Sequence, residues 1–457
     1  MPNPGWYGIA AAIYLGTKLL LSLPIPRPWR RQNTTPRPVP DLFVHGVITV
    51  YNEAPEMLHR CLESILAQTV RPRSLTVIDD ASADHSAAHV VDELRARFAR
   101  AGITIRFIRF PENRGKRHGL AAGFRDAPTA DAYLAVDSDT LTAPNAVEEL
   151  LRRMGKRRVH AVTGLVLAHN RSTNLLTRLI DMRYVNAFLG ERVAYSRLGS
   201  VLCACGSLAL YRGWVMRKHL DDFLEQRFLG RPATFGDDRR LTYYALAEGQ
   251  SVIAPTALAY TDVPERLGHY TRQQIRWGKS FIREGLLLAA KPRHILRTFW
   301  WLNLAELAAW LGFTAGLIVA LALAVTHPAG PAILTGYLTW VCVMSWLRSV
   351  HYLRRAPGLP LRERIPTFAA APLYALLNLG LLLPLRLYSL ATPHITTWGT
   401  RQNGAEVHHD QTPTAAAAEA LTVPIPRPAL PTDDTVPLRL LIGHDPDQTL
   451  ELDLRAH

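Results

Sequence analysis

The chain is 457 residues long and 48% hydrophobic, with a mean hydropathy of +0.02, which allows two or three domains and fits a soluble part joined to a membrane part. Its formal charge of +14 would suit nucleic acid, anionic lipid headgroups or a phosphorylated substrate, but no basic run interleaved with aromatics marks a nucleic-acid surface. Four cysteines, of which only Cys203 and Cys205 are close in sequence, exclude a disulfide framework, imply a reducing compartment and offer no second pair for zinc.

Residues 6–23 form an apolar run with one lysine, Lys18, ending at a basic, proline-rich stretch from Pro24 to Pro40. The run is near the lower limit of about 17 to 25 residues for a spanning helix. The positive charges follow it, which favours an anchor with its basic side in the cytoplasm over a signal peptide. Residues 1–40 are therefore read as an anchor and linker.

From 41 to 280 the pattern is α/β. Phe43 to Val50, Leu75 to Ile78, Ile103 to Phe110 and Tyr133 to Val136 read as buried strands. Leu58, Leu62, Ile65 and Leu66 mark one helical face between them, and Val91, Leu94 and Phe98 another. Such alternation predicts a mostly parallel sheet with helices on both faces, whose ligands sit at the carboxyl ends of the strands.

Residues 281–397 read as a membrane region. Residues 281–296 carry Arg283, Glu284, Lys291 and Arg293 among leucines and suit an interfacial helix. Leu307 to Thr326 and Ala332 to Leu347 suit two transmembrane helices. Phe368 to Leu390, interrupted by Pro372, Asn378, Gly380, Pro384 and Arg386, is expected to be re-entrant or interfacial. Arginines flank these segments in the positive-inside pattern. Beyond them, 398–457 contains Trp398-Gly399-Thr400-Arg401 and an Ala- and Pro-rich tail expected to be disordered.

The charged motifs fall at strand ends. Tyr51 and Glu53 follow the first strand, and Asp79-Asp80 closes the second. Carboxylates there can accept hydrogen bonds from a base and ribose, or cap a helix. Asn113-Arg114-Gly115-Lys116-Arg117 offers cations and a close backbone approach to an anion, or a solvated basic loop. Asp137-Ser138-Asp139 can hold a hard divalent ion that bridges a diphosphate. Gly236-Asp237-Asp238 offers a general base, or a helix cap with its acids paired to Arg239 and Arg240. Gln273-Gln274-Ile275-Arg276-Trp277 combines amides, a guanidinium for a diphosphate and an indole for a sugar face, just before the membrane region.

With Asp80, Asp137-Ser138-Asp139, Gly236-Asp237-Asp238 and Gln273 to Trp277 in this order, the chain resembles the processive family 2 glycosyltransferases. Among these it is most similar to the hyaluronan synthases, through Asn113 to His118, Gly236 to Thr242, Gln273 to Glu284 and Trp398 to Arg401. The resemblance covers about residues 41–401. It implies a GT-A catalytic domain on the cytoplasmic face of the plasma membrane in a multi-pass protein, using UDP-sugars and Mg²⁺ or Mn²⁺ with inversion at the anomeric carbon. By the same similarity Tyr51, Glu53 and Asp79-Asp80 bind uridine, Lys116 and Arg117 the nucleotide, and Asp139 with Asp137 the metal diphosphate. Asp238, with Asp237 beside it, is the base. Arg276 holds the diphosphate, Gln273, Gln274 and Trp277 bind the acceptor, and Cys205-Gly206-Ser207 lines its site. Trp398 and Arg401 belong to a loop that closes over the nucleotide, which requires the tail to be cytoplasmic.

The implied partners are the growing polysaccharide and the bilayer, without nucleic acid, and the oligomeric state, a monomer among the options, is left open by the sequence. Members of the family carry two N-terminal spans where this sequence shows one, and many hyaluronan synthases have proline where Ser207 stands. A GlcNAc homopolymer or oligomer synthase is the second reading, and an inactive transferase-like scaffold or exporter the third.

Overall fold

A computed structural model describes residues 5–23, 38–233 and 235–395. Most of the proline-rich linker, and the tail with Trp398 and Arg401, lie outside the described residues.

The apolar start is one helix, α1 (Gly5–Ser22). Strands and helices then alternate: β1 (Val44–Val50), α2 (Pro55–Leu66), β2 (Ser74–Asp79), α3 (Ser86–Arg100), β3 (Thr104–Arg109), α4 (Lys116–Asp126), β4 (Ala132–Asp137), β5 (Leu141–Thr142), α5 (Ala146–Met154), β6 (Val159–Ala168) and α6 (Leu175–Val185). The four strands expected from sequence form within two residues of their expected bounds. Every residue of β1 is buried, because the sheet is covered on both faces and both sets of alternating side chains enter a core. Ile48 and Val77 pack with Leu58, Leu62, Val91 and Leu94 of α2 and α3. Val47 and Ile78 face the other way, onto Leu120 and Phe124 of α4.

After α6 the helix widens into a π-helical segment, Asn186–Arg192, and returns to α7 (Val193–Arg197). There follow β7 (Leu208–Arg212), α8 (Gly213–Lys218), α9 (Leu220–Leu224), a small hairpin of β8 (Arg227–Phe228) and β9 (Arg231–Pro232), α10 (Asp237–Glu248) and β10 (Gln250–Thr261). The main sheet has the order β3-β2-β1-β4-β7-β6-β10-β5. β1 is parallel to β2 and β4, β2 to β3, and β6 to β10. β7 runs antiparallel between β4 and β6, and β5 antiparallel to β10. The sheet is thus mostly parallel, with one reversed strand at its centre.

The Gln273 to Trp277 motif and the expected interfacial segment belong to a single helix, α11 (Leu267–Ala289), followed by a 3-10 turn at Pro292–His294. Nothing between Leu267 and Ala289 breaks a helix, since its glycines weaken the helix without ending it. α12 (Thr298–Thr326), α13 (Gly330–Arg348), α14 (Val350–Arg355), α15 (Leu361–Ala369), α16 (Ala371–Leu377) and α17 (Leu383–Ala391) complete the described chain, with a π turn at Asn378–Leu382.

Among the described residues three stretches are long and apolar enough to cross a membrane: Thr298–Thr326, Gly330–Arg355 and Leu361–Ala391. The third is the one expected to stay at the interface, and its length suits a crossing as well. It packs on the two preceding spans, with Arg386 over the Trp310 and Phe313 rings and Trp346 donating to the Ala369 carbonyl, and it also touches the catalytic domain. Glu363 lies 3.9 Å from Arg171, Leu377, Leu381, Leu382 and Leu385 pack with Ala168, Ile180, Val263 and Tyr270, and Ser389 donates to the carbonyl of Ile275.

Candidate active site

The register explains why distant motifs meet. Val50 pairs with Asp79, Asp79 with Arg109, and Thr49 with Asp137. The residues that follow β1, β2, β3 and β4 therefore emerge along one edge. β7 is antiparallel to β4 and pairs its first residue, Leu208, with Val136, so the turn before β7 arrives at the edge where β4 ends.

A cleft of about 420 Å³ opens there. Tyr51, Glu53, Lys116, Asp137 and Asp139 line one end, and Cys203, Cys205, Gly206, Ser207, Asp237 and Asp238 the middle. Gln273, Gln274, Arg276 and Trp277 come from α11, and beyond them the lining continues through Arg183, Tyr184, Glu191, Arg192 and Tyr195 to Glu306 of α12. The sequence motifs are thus brought together on one surface.

At the first end the Lys116 ammonium contacts Asp137 Oδ1, and Ser207 Oγ donates to Asp137 Oδ2 at 3.2 Å. Ser138 Oγ donates to Glu53 Oε2 at 2.9 Å, tying the loop after β4 to the loop after β1. Lys116 opens α4, so the helix N-terminus faces the same space and favours an anion. Asp137 and Asp139, two carboxylates on one loop, have the ligand chemistry of a hard divalent cation.

In the middle, Asp238 Oδ1 accepts from the Arg239 backbone N–H at 2.8 Å, and Oδ2 from the Cys203 thiol at 3.1 Å. Burial, with the Asp238 charge nearby, pushes the Cys203 thiol up, so it stays a donor. Thr242 Oγ1 joins the two segments, accepting from the Ala204 N–H at 2.8 Å and donating to the Asp238 carbonyl at 2.6 Å. Gly236 enters α10 with φ of +97°, and a Cβ there would lie 2.5 Å from Ser280 Oγ. The backbone conformation and the closeness of α11 both require glycine.

Two buried ion pairs fix α10. Arg117 Nε meets Asp237 Oδ1 at 2.8 Å, with the two side chains 4% and 6% exposed. Arg240 Nε meets Glu284 Oε2 at 2.9 Å. The first ties α10 to the helix bearing Lys116, the second to the helix bearing Trp277. The acids of α10 are therefore not paired to Arg239 and Arg240, the alternative the sequence left open.

Among residues singled out from sequence, Asp79, Asp80 and Arg117 do not line the cleft. Asp79 is fully buried, with Ser82 donating to it and Arg109 at 3.0 Å. Asp80 accepts from the N–H groups of Arg114 and Gly115 at 2.7 and 2.8 Å, which shapes the loop that presents Lys116. Trp277 keeps 43% of its surface exposed, with the Tyr184 ring centroid 6.3 Å away. Cys203, Arg192 and Glu306 were not singled out. An acid in an apolar span and a lone lysine in another were the available signal for one contact, since Lys18 Nζ meets Glu306 Oε1 at 2.5 Å.

A fold with sugar-transferase geometry at its strand ends is matched by comparison with known proteins. The family described as "Glycosyltransferase like family 2" matches residues 40–280. The hyaluronan synthase of Streptococcus pyogenes is 38% identical over 405 residues, 87% of this chain and 91% of that protein. An N-acetylglucosaminyltransferase of Mesorhizobium japonicum is 35% identical over 404 residues, 88% and 91% of the two chains. Among solved structures, a mannosyltransferase from Pyrobaculum calidifontis, in complex with GDP-Man and Mn²⁺, matches with a TM-score of 0.53 at 20% identity, over 86% of this chain and 99% of that one. It shares the fold, a GT-A architecture. The chain belongs to glycosyltransferase family 2.

Proposed function

We propose that the protein is a membrane-embedded, inverting, processive glycosyltransferase that polymerises UDP-sugars, alternating UDP-GlcNAc and UDP-glucuronate, and passes the polysaccharide through the bilayer. One observation carries this reading. One cleft is lined by the strand-end carboxylates, Asp238 and Trp277 and also by Glu306 on an apolar helix. A catalytic pocket continuous with a membrane helix fits a product handed directly to the bilayer.

Asp137 and Asp139 would hold Mg²⁺ or Mn²⁺, which supplies charge neutralisation to the diphosphate when bound. Lys116, the α4 N-terminus and Arg276 bind and orient the same anion. Asp238 takes the proton of an acceptor hydroxyl as its oxygen attacks the anomeric carbon. The bond from that carbon to the diphosphate breaks, UDP leaves, and single displacement inverts the centre. Trp277, with Tyr184 beside it, gives the acceptor sugar an aromatic face.

A GlcNAc homopolymer or oligomer is the second reading, supported by the 35% identity to an N-acetylglucosaminyltransferase. Purified protein in detergent with Mn²⁺ and both donors should yield hyaluronidase-sensitive polymer, and UDP-GlcNAc alone should stall. Continued polymer growth on UDP-GlcNAc alone would select the second reading. No polymer and no UDP release with any donor pair would remove both.

A further inference from the structure

We propose that Arg192 recognises a hexuronate carboxylate on the acceptor chain and thereby selects a uronate-containing polymer, an inference that rests on the transferase reading above. Arg192 closes the π-helical segment Asn186–Arg192 and lines the cleft. π-Helical turns cost hydrogen-bond geometry and concentrate at functional sites. Here the widened turn carries a cation to the acceptor side.

Its placement is fixed on two sides. Nε donates to the Cys203 carbonyl at 3.1 Å, and the guanidinium lies 4.0 Å from the Phe188 ring centroid. The thiol of that same Cys203 donates to Asp238. A single residue therefore separates the cation from the candidate base.

Three cations near the base already meet carboxylates. Lys116 meets Asp137, Arg117 meets Asp237 and Arg240 meets Glu284. Arg183 approaches Glu191 at 3.9 Å, and Arg239 lies over the Phe281 ring. Arg192 has no carboxylate partner among the described residues, and its Nε is used on a backbone carbonyl. Its remaining N–H groups form the planar fork that matches a carboxylate. A neutral sugar would leave that charge in the cleft without an anion.

The test uses the full-length protein in detergent, UDP-GlcNAc as sole donor, and two oligosaccharide acceptors. One ends in glucuronate and the other in its carboxyl-reduced glucose analogue. The parental enzyme should extend the uronate acceptor with a KM about tenfold lower than the analogue, the scale of a charge-assisted contact. Arg192→Gln should lose that preference by raising KM for the uronate acceptor while leaving KM for the reduced analogue near its parental value. Arg192→Lys should retain part of the preference. Equal KM values for the two acceptors on the parental enzyme, or an Arg192→Gln variant that keeps the preference, would overturn the inference. If Arg192→Gln melts early, the parental comparison and the Lys variant still decide it. A parental enzyme that extends neither acceptor contradicts the transferase reading instead.

Discussion

Two adjacent aspartates on α10 sit in opposite surroundings, and their substitution should separate stability from chemistry. Asp237 is buried against Arg117, so Asp237→Ala would strand an unpaired guanidinium in the core at a cost of about 3–5 kcal/mol. Unfolding of the solubilised protein should show that loss as an early transition. Asp238 faces the cleft and makes contacts that an amide can largely keep. Asp238→Asn should change stability by less than about 0.5 kcal/mol, abolish transfer and leave UDP binding nearly intact. Loss of donor binding with unchanged transfer per bound donor would contradict the base role. The residues alone did not separate the two members of this pair; the family resemblance named Asp238 as the base. Neighbouring residues on a helix point about 100° apart, so Asp237 turns into an ion pair with Arg117 at the cleft wall while Asp238 meets Cys203. The same ambiguity affected Lys116 and Arg117, where the structure sends only Lys116 to the cleft. Arg192 gave no local signal, because its role depends on Cys203, and the two meet only once the π-helical segment folds against the turn before β7.

β1, β2 and β4 were legible as runs buried on both faces, whereas β3 lies at the sheet edge with Thr104 and Arg106 exposed. The direction of β7 was not legible, since pairing between β4 and a strand some seventy residues later leaves no periodicity in either segment. The unity of α11 was also hidden, because the motif and the leucine-rich segment differ in composition while sharing one helix. That helix carries Gln273 to Trp277 into the cleft, and its own position depends on α17. A Cβ at Gly278 would lie 2.9 Å from Ser389 Oγ and 3.2 Å from Ser389 Cβ. Gly278→Val should force the two helices apart at a cost of about 1–3 kcal/mol. Trp277 and Arg276 move with it, while Tyr51, Glu53 and Lys116 stand on other elements. The expected result is loss of sugar transfer with nucleotide binding weakened but not abolished, measured by UDP release and by binding of labelled UDP. Parental transfer in Gly278→Val would show that the contact does not position the motif.

The whole molecule is arranged by which helix ends reach the catalytic domain. α1 ends at a contact between Arg197 and the Leu23 carbonyl, and α12 begins where Arg297 donates to the Leu246 carbonyl at 2.8 Å. α13 ends at the pair of Arg348 and Glu191. These two membrane helices leave the domain and return to it, placing the turn around His327 on the far side. The stretch Leu361–Ala391 behaves differently, since it meets the domain at Glu363 near its start and at Ser389 near its end. Length and apolarity would let it cross, but a single crossing by a straight helix puts its two ends on opposite faces of about 30 Å of hydrocarbon. Contacts of both ends with one domain fit the interfacial or re-entrant path expected from sequence. The expected closing role of Trp398 to Arg401 needs that path. A membrane-impermeant maleimide applied to intact cells should label His327→Cys. Glu225→Cys in the catalytic domain and His394→Cys after α17 should react only once the membrane is opened. Labelling of His394→Cys from outside would establish a third crossing, and would leave the segment that follows unable to reach the nucleotide.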